Sequence, residues 1–126
     1  MRLTRYGDAP RYPAALHHDV QARRLQGLEA GATTNFWVGL STYLPGGYAQ
    51  EAPARAETVY VVVAGELELT CGGDTLRLGR YDSVHLAEGE VRRIDNRGTE
   101  PAVLLVTIAV PGEVPSTPEG ALRPGP

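Results

Sequence analysis

The sequence predicts an all-β chain folded as a double-sheet jelly roll. Short runs rich in β-branched and aromatic residues recur at close spacing, and turn-forming residues separate them. No segment of ten or more residues keeps an uninterrupted helical period, because prolines and glycines break each candidate. Many short strands without helices indicate a sandwich or a barrel, and we expect the double-sheet jelly-roll form of it.

The first part of the chain is predicted to hold an irregular arm and two strands. Residues 1–16 combine two prolines with aromatic and charged side chains, which favours an arm without regular structure. Residues 20–28 alternate in part and predict a first strand, with a turn at residues 29–32. Residues 35–44 are rich in aromatic and β-branched side chains and predict a second strand, which the Pro-Gly-Gly turn at residues 45–47 ends.

The sequence pattern predicts the central strands most clearly. Residues 58–64 are a near-continuous β-branched run, which predicts a strand buried on both faces. Residues 66–69 alternate strictly, so this strand has one face in water. Gly72-Gly73 predicts a tight turn with positive φ, after which the next strand returns antiparallel. The remaining strands are predicted at residues 75–78, 83–86, 91–95 and 102–110.

The domain organisation follows from these elements. We expect an N-terminal arm at residues 1–16 and one β-barrel at residues 17–110. From residue 111 onward, five prolines occur among Gly, Ser and Thr, and little in this composition can pack. Residues 111–126 are therefore predicted to be a flexible tail.

Composition excludes several function classes. All 12 basic residues are arginine, so Schiff-base catalysis by a lysine is excluded. A net charge of −3 with dispersed arginines argues against nucleic-acid binding. Cys71 is the one cysteine, which fits a reducing compartment, and no apolar run is long enough to cross a membrane. We expect a cytoplasmic protein without membrane or nucleic-acid partners.

The order of glycine signals resembles the cupin family over residues 35–110. A Pro-Gly-Gly turn is followed by a strand ending in Gly65-Glu66-Leu67, a Gly-Gly hairpin and a second motif around Tyr81-Asp82. The resemblance implies a double-stranded β-helix, the jelly-roll barrel of cupins. Metal-binding cupins carry a His-x-His pair and a Glu in the first motif and a His in the second. In this chain those positions hold Ala52, Ala54, Thr58 and Arg92, which do not bind transition metals. The resemblance therefore implies a cupin without a metal or another cofactor.

The resemblance also suggests which side chains line the barrel. If Thr58 and Arg92 face inward like the ligands that they replace, strand alternation predicts the rest of the lining. The preceding strand is expected to turn Ser41 and Tyr43 inward, and Gln50 follows in phase with Ala52 and Ala54. The predicted ligand-binding residues are Trp37, Ser41, Tyr43, Gln50, Thr58, Tyr60 and Arg92.

Arg92 is predicted to meet an anion, because a buried unpaired charge costs several kcal/mol. A substrate carboxylate, enolate or phosphate could provide it. A carboxylate of the chain could provide it instead, and the specific alternative is that Arg92 turns to the barrel mouth and pairs with Glu88 or Glu90. If a substrate provides the anion, we expect the ligand to be a small anionic or aromatic organic molecule.

The residues left for catalysis are suited to proton transfer. Tyr60 or Glu57 would move a proton, and Arg92 with Ser41 or Gln50 would stabilise developing negative charge. This predicts isomerase, lyase or cyclase chemistry on a carbonyl compound without a metal. One alternative is a non-catalytic binding or accessory protein. The other is a metal enzyme with ligands from His17 or His18, Glu57 and His85.

Two further expectations concern surfaces. His17 and His18 are adjacent on a predicted strand, so they point to opposite faces. His85 alternates with inward apolar residues and is expected on the outer sheet surface, where cupins commonly dimerise. The outward residues Val59, Val61 and Val63 would leave an apolar face in water, which predicts a homodimer, with residues 1–16 crossing between the chains.

Overall fold

Eight antiparallel strands build the part of the chain that the computed structural model describes, residues 1–110. The strands pair in the order β5-β4-β7-β2-β8-β3-β6, and β1 pairs with β2 outside this path. The all-β jelly-roll prediction is confirmed, whereas the predicted tail at residues 111–126 lies outside the described residues. The strands are β1 (His17–Gln26), β2 (Phe36–Pro53), β3 (Thr58–Ala64), β4 (Leu67–Cys71), β5 (Asp74–Leu78), β6 (Ser83–Leu86), β7 (Val91–Asp95) and β8 (Ala102–Ala109).

Several boundaries coincide with the sequence predictions. β3, β6 and β7 have the predicted ends, and β4 and β5 form the predicted hairpin. Gly72 and Gly73 have φ of 62° and 85°, the left-handed conformation that a tight hairpin turn needs. β4 also alternates as predicted, because Leu67 and Leu69 are buried while Glu68 between them is half-exposed.

The Pro-Gly-Gly turn does not end the second strand, so that prediction is wrong. β2 continues through residues 45–47 to Pro53. Its first half pairs with β8 and its second half with β7, while β1 pairs with both halves. The pairing of β1 with β2 jumps from His18↔Tyr48 to Val20↔Tyr43. The Pro-Gly-Gly segment is thus a bulge at which β2 changes its partner from β8 to β7, a common way to turn a barrel corner.

The prediction that β3 is buried on both faces is also wrong for this chain. Thr58, Tyr60 and Val62 are buried, but Val59 on the opposite face is 38% exposed. An antiparallel sheet packs one face against the core and leaves the other outside. The continuous β-branched run concealed this because no polar residue marks the outer face.

The core lies on the inner face of the curved sheet. It contains Tyr43 and Tyr60 among aliphatic side chains, with Trp37 packed at its margin. One row across the sheet runs from Gly39 of β2 through Val106 of β8 to Tyr60 of β3. The inward faces of β2, β3 and β7 therefore position the residues from which a site can be built.

The N-terminal arm folds back along β1 of its own chain. Arg11 forms a β-bridge with Arg23, and the Arg23 Nη1 group donates to the carbonyls of Tyr6, Gly7 and Ala9 at 3.1, 3.2 and 3.1 Å. β1 itself begins at His17, three residues before the predicted start. Within residues 1–110, the chain forms no helix with the length and hydropathy of a membrane span.

Candidate functional site

Arg92 and Tyr60 meet on the inner side of the barrel. Arg92 lies on β7, where it pairs with Ala52 of β2 and Cys71 of β4. Its Nε–H donates to the Tyr60 hydroxyl at 3.1 Å, and its Nη1 group donates to the Gln50 carbonyl at 3.0 Å. Arg92 is half-buried and Tyr60 is buried. Strand phase thus brings together the two residues that the sequence singled out for proton transfer and charge stabilisation.

Arg92 has no carboxylate partner among the described residues. The structure describes both Glu88 and Glu90, and neither forms an ion pair with Arg92. The predicted alternative is therefore wrong. Glu90 uses Oε2 to accept the Ala87 N–H at 2.8 Å, and its Oε1 lies 3.8 Å from the Cys71 sulfur. Both hydrogen-bond acceptors of Arg92 are neutral, so no described side chain within salt-bridge distance compensates its positive charge.

Four of the predicted inward residues of β2 and β3 are in the interior. Ser41, Tyr43, Thr58 and Tyr60 are all buried. Burial raises the pKa of Tyr43 far above its ordinary value, and the nearby Tyr60 adds to this effect. Among residues 1–110, no hydrogen-bond partner of the Tyr43 hydroxyl is found, and the residue is 1% exposed. A buried hydroxyl without a partner among the described residues is unusual in a folded protein.

Two predicted lining residues behave differently. The Gln50 side chain is exposed and Ala49 is the buried residue, so the prediction that Gln50 points inward is wrong. The register of β2 against β7 shifts between Ala49 and Ala52, which resets the alternation. Trp37 lies at the margin of the core, but its ring already contacts Tyr12, edge-on at 5.7 Å, and the Arg24 guanidinium at 4.2 Å. Trp37 is thus a packed residue and not a free platform.

Glu57 is not brought together with Tyr60 and Arg92. Its Oε2 accepts a hydrogen bond from His85 Nε2 at 2.7 Å, and both side chains are more than half exposed on the outer surface. The outward placement of His85 agrees with the prediction. Glu57 is therefore poorly placed for the catalytic role that the sequence suggested.

His17 belongs to the interior, which the sequence did not reveal. It pairs with Ala49, and its ring lies 6.3 Å from that of Tyr43, while His18 stacks on Tyr48 outside. Burial lowers the pKa of His17, and the Arg92 cation lowers it further against the opposing effect of the Ala15 carbonyl. Because Nδ1 lies 2.8 Å from that carbonyl, Nδ1 carries the proton and Nε2 keeps a free lone pair.

Tyr12 enters the interior from the arm, also without a signal in the sequence. The Arg24 guanidinium covers its ring at 3.8 Å, and burial raises the pKa of Tyr12 although Arg24 and the Ser41 hydroxyl oppose this. Gly39 makes room for it: a Cβ there would lie 3.1 Å from the Tyr12 hydroxyl and 2.8 Å from the Trp37 ring. We define the interior polar cluster as Tyr12, His17, Ser41, Tyr43, Tyr60 and Arg92.

The positions that hold metal in related barrels do not fit a metal ion here. Ala52 and Ala54 have no donor atom, and Arg92 is a cation. The Thr58 hydroxyl donates to the Ala56 carbonyl at 2.9 Å. Across residues 1–110, no three His, Cys, Asp or Glu side chains lie close enough to hold a metal ion. The alternative set of His17 or His18, Glu57 and His85 is therefore not assembled.

Comparison with known proteins identifies the relatives of the chain. The family model described as a cupin domain matches residues 39–108. A protein of Mycobacterium tuberculosis (strain ATCC 25618 / H37Rv) named beta-D-galactosidase Rv1717 is 60% identical over 111 residues, which cover 88% of this chain and 96% of that protein. The resemblance extends over nearly the full length of both proteins.

Solved structures share the fold at low sequence identity. The polyketide cyclase RemF from Streptomyces resistomycificus is 18% identical with a TM-score of 0.76, covering 86% of this chain and 79% of that one. KdgF from Halomonas sp. is 12% identical with a TM-score of 0.70, covering 87% and 94%. A predicted oxalate decarboxylase from Thermotoga maritima is 18% identical with a TM-score of 0.71, covering 87% and 99%. At these identities the likeness concerns the fold alone.

Proposed function

This chain belongs to the cupin family, and on that premise we propose that it binds β-D-galactosides in its barrel and hydrolyses their glycosidic bond. The observation that carries the proposal is the interior polar cluster, in which hydroxyl groups, an imidazole and a guanidinium converge inside the barrel. Such groups suit a polyhydroxylated ligand, because each can donate or accept hydrogen bonds. The relative named beta-D-galactosidase supports the choice of sugar.

Glycoside hydrolysis needs a proton for the leaving oxygen and an activated water, which most glycosidases obtain from two carboxylates. Among residues 1–110, the interior polar cluster contains no carboxylate. Glu57 is paired with His85 outside, and Glu29 is bound to Arg24 at 3.0 Å. We therefore assign the two roles to Tyr60 and His17.

Tyr60 is assigned the role of proton donor. Its oxygen accepts the Arg92 hydrogen bond, so its own proton is available to the leaving oxygen. As the bond from the anomeric carbon to that oxygen breaks, the oxygen takes the Tyr60 proton and the aglycone leaves as an alcohol. The Arg92 cation stabilises the phenolate that remains.

His17 is assigned the role of base. Its lowered pKa keeps the imidazole neutral near pH 7, and its free Nε2 can accept a proton. Water attacks the anomeric carbon, its oxygen forms the new bond, and its proton passes to Nε2. Transfer of that proton back to the Tyr60 phenolate through solvent restores both groups. In this scheme the chain uses no metal and no cofactor.

A second candidate function is proton transfer on a small carbonyl compound, as an isomerase, lyase or cyclase. The uncompensated charge of Arg92 favours it, because a guanidinium stabilises a developing enolate. Tyr60 would again move the proton. A non-catalytic binding role would use the same residues for recognition only.

Hydrolysis of aryl glycosides by the purified, chelator-treated protein tests the proposal. We expect release of the aryl group from the β-D-galactoside and not from the α-anomer. Tyr60→Phe and His17→Gln should each lower kcat by about 100-fold or more. Tyr81→Phe is the matched control, because Tyr81 is 67% exposed, and it should retain parental activity. Absence of galactoside turnover in the parent protein, or full activity of Tyr60→Phe, would refute the proposal.

A further inference from the structure

Arg92 retains hydrogen-bonding capacity that the described residues do not use. A guanidinium carries five N–H groups in a planar fork. Nε uses its one N–H on the Tyr60 hydroxyl, and Nη1 uses one on the Gln50 carbonyl. Three N–H groups on Nη1 and Nη2 remain, and within residues 1–110 no carboxylate lies within salt-bridge distance. The two bonds that are made fix the plane of the guanidinium.

A fixed guanidinium beside the sugar ring slows hydrolysis of a neutral sugar without preventing it, which conflicts with efficient turnover of neutral galactosides. Glycoside cleavage passes through a transition state with positive charge on the ring, as an oxocarbenium ion has. A positive charge nearby raises the energy of such a transition state, more so in a site screened from water. The conflict disappears if the substrate supplies a negative charge to Arg92, because the pair then has no net charge.

Resting on the proposed function, we propose that Arg92 binds an anionic group on the sugar, so that the substrate class is acidic β-galactosides. A ring carboxylate, as in a galacturonide, can accept two parallel hydrogen bonds from Nη1 and Nη2. A sulfate ester on the sugar offers the same oxyanion chemistry. The hydroxyls of Tyr43 and Ser41 then contact the neutral part of the ring.

Calorimetric binding of three matched probes tests this inference: methyl β-D-galacturonide, methyl 6-O-sulfo-β-D-galactoside and methyl β-D-galactoside. The parent protein should bind one or both anionic probes at least about 30-fold more tightly than the neutral one. The tighter of the two identifies carboxylate or sulfate as the source of the anion. This comparison needs no variant, so it does not depend on how a substitution affects folding.

Variants then connect the preference to Arg92. Arg92→Gln should abolish the preference, and Arg92→Lys should keep only part of it, because an ammonium lacks the planar fork. Arg77→Gln removes the same charge from an exposed position, where the arginine side chain is 71% exposed, and should keep the full preference. Survival of the preference in Arg92→Gln would overturn the inference.

Two results separate this inference from the proposed function. If the parent hydrolyses aryl β-D-galactosides but binds the neutral probe as tightly as the anionic ones, the inference is overturned and the galactosidase proposal stands. If the parent binds an anionic probe through Arg92 but hydrolyses none of the three glycosides, the anion site stands and the proposed reaction fails.

Discussion

The Nε–H group of Arg92 donates a hydrogen bond to the Tyr60 hydroxyl at 3.1 Å across the barrel interior. Arg92 lies on β7 and Tyr60 on β3, and β2 and β8 separate these strands in the sheet. The bond orients the guanidinium and leaves the Tyr60 proton directed elsewhere. It therefore connects the cation of the site to its proton donor.

A double-mutant cycle measures this connection. Arg92→Ala and Tyr60→Phe, alone and together, should give a coupling free energy of about 1.5–3 kcal/mol in urea unfolding, the scale of a hydrogen bond to a charged group. Arg92→Ala alone should be tolerated, because it leaves no carboxylate of the described residues without its partner. Additive effects of the two substitutions would show that the bond does not form in solution.

A second prediction concerns the pH dependence that His17 confers. Folding lowers the pKa of His17. Below about pH 6.5, His17 is therefore protonated more readily in the unfolded chain than in the folded one. The stability contribution of the neutral imidazole is therefore complete above the unfolded pKa and is lost as the pH falls below it. When the pH falls from about 7.5 to about 5.5, the free energy of unfolding should decrease less for His17→Gln than for the parent.

Thermal or urea unfolding at the two pH values checks this. His18→Gln is the control, because His18 stacks on Tyr48 on the outer face, with ring centroids 4.6 Å apart. Equal pH sensitivity of the parent and His17→Gln would contradict the prediction. The activity of the parent should also fall on the acidic side, as protonation removes the base.

Strand alternation was sufficient to predict part of the site. It placed Thr58 and Tyr60 inside because β3 has no irregularity before them, and Arg92 inside because β7 has none. It failed for Gln50, where the register of β2 shifts, since alternation carries no information across a bulge. A residue such as Tyr12, on an arm without strand periodicity, reaches the site through tertiary packing that no local pattern encodes.

The third prediction concerns metal content. Alanines, a threonine hydroxyl bound to a backbone carbonyl and an arginine occupy the family's ligand positions. We expect no stoichiometric Zn, Fe, Mn or Ni in the purified protein after dialysis, and binding of the sugar probes should be unchanged by a chelator. Elemental analysis giving close to one metal ion per chain would contradict this.

The fourth prediction is a two-fold dimer. The outer face of β3 carries Val59, Val61 and Val63, and Val59 is 38% exposed. Packing this face against a second copy would remove apolar surface from water. Light scattering should give a dimer mass at micromolar concentration, and Val61→Glu should give a monomer. Val91→Glu, at an exposed position on β7, should leave the mass unchanged. A monomeric parent would rule the dimer out.

The last prediction tests how the arm reaches the interior. Gly39 lies below Tyr12 and Trp37, and a methyl group there would come within 2.8 Å of the Trp37 ring and 3.1 Å of both the Tyr12 hydroxyl and the Arg23 carbonyl. The Arg23 carbonyl belongs to the backbone of β1 and cannot rotate away. Gly39→Ala should therefore destabilise the fold by about 1–3 kcal/mol, the usual cost of overpacking.

Gly7→Ala is the matched control, because a Cβ at Gly7 meets no atom within 4 Å. It should be neutral or slightly stabilising, since alanine restricts the unfolded chain. Gly39→Ala should also weaken binding of the sugar probes, because displacing Tyr12 removes one hydroxyl of the interior polar cluster. If Gly39→Ala unfolds at the same urea concentration as Gly7→Ala, Tyr12 does not occupy the space above Gly39, and the arm is not part of the site.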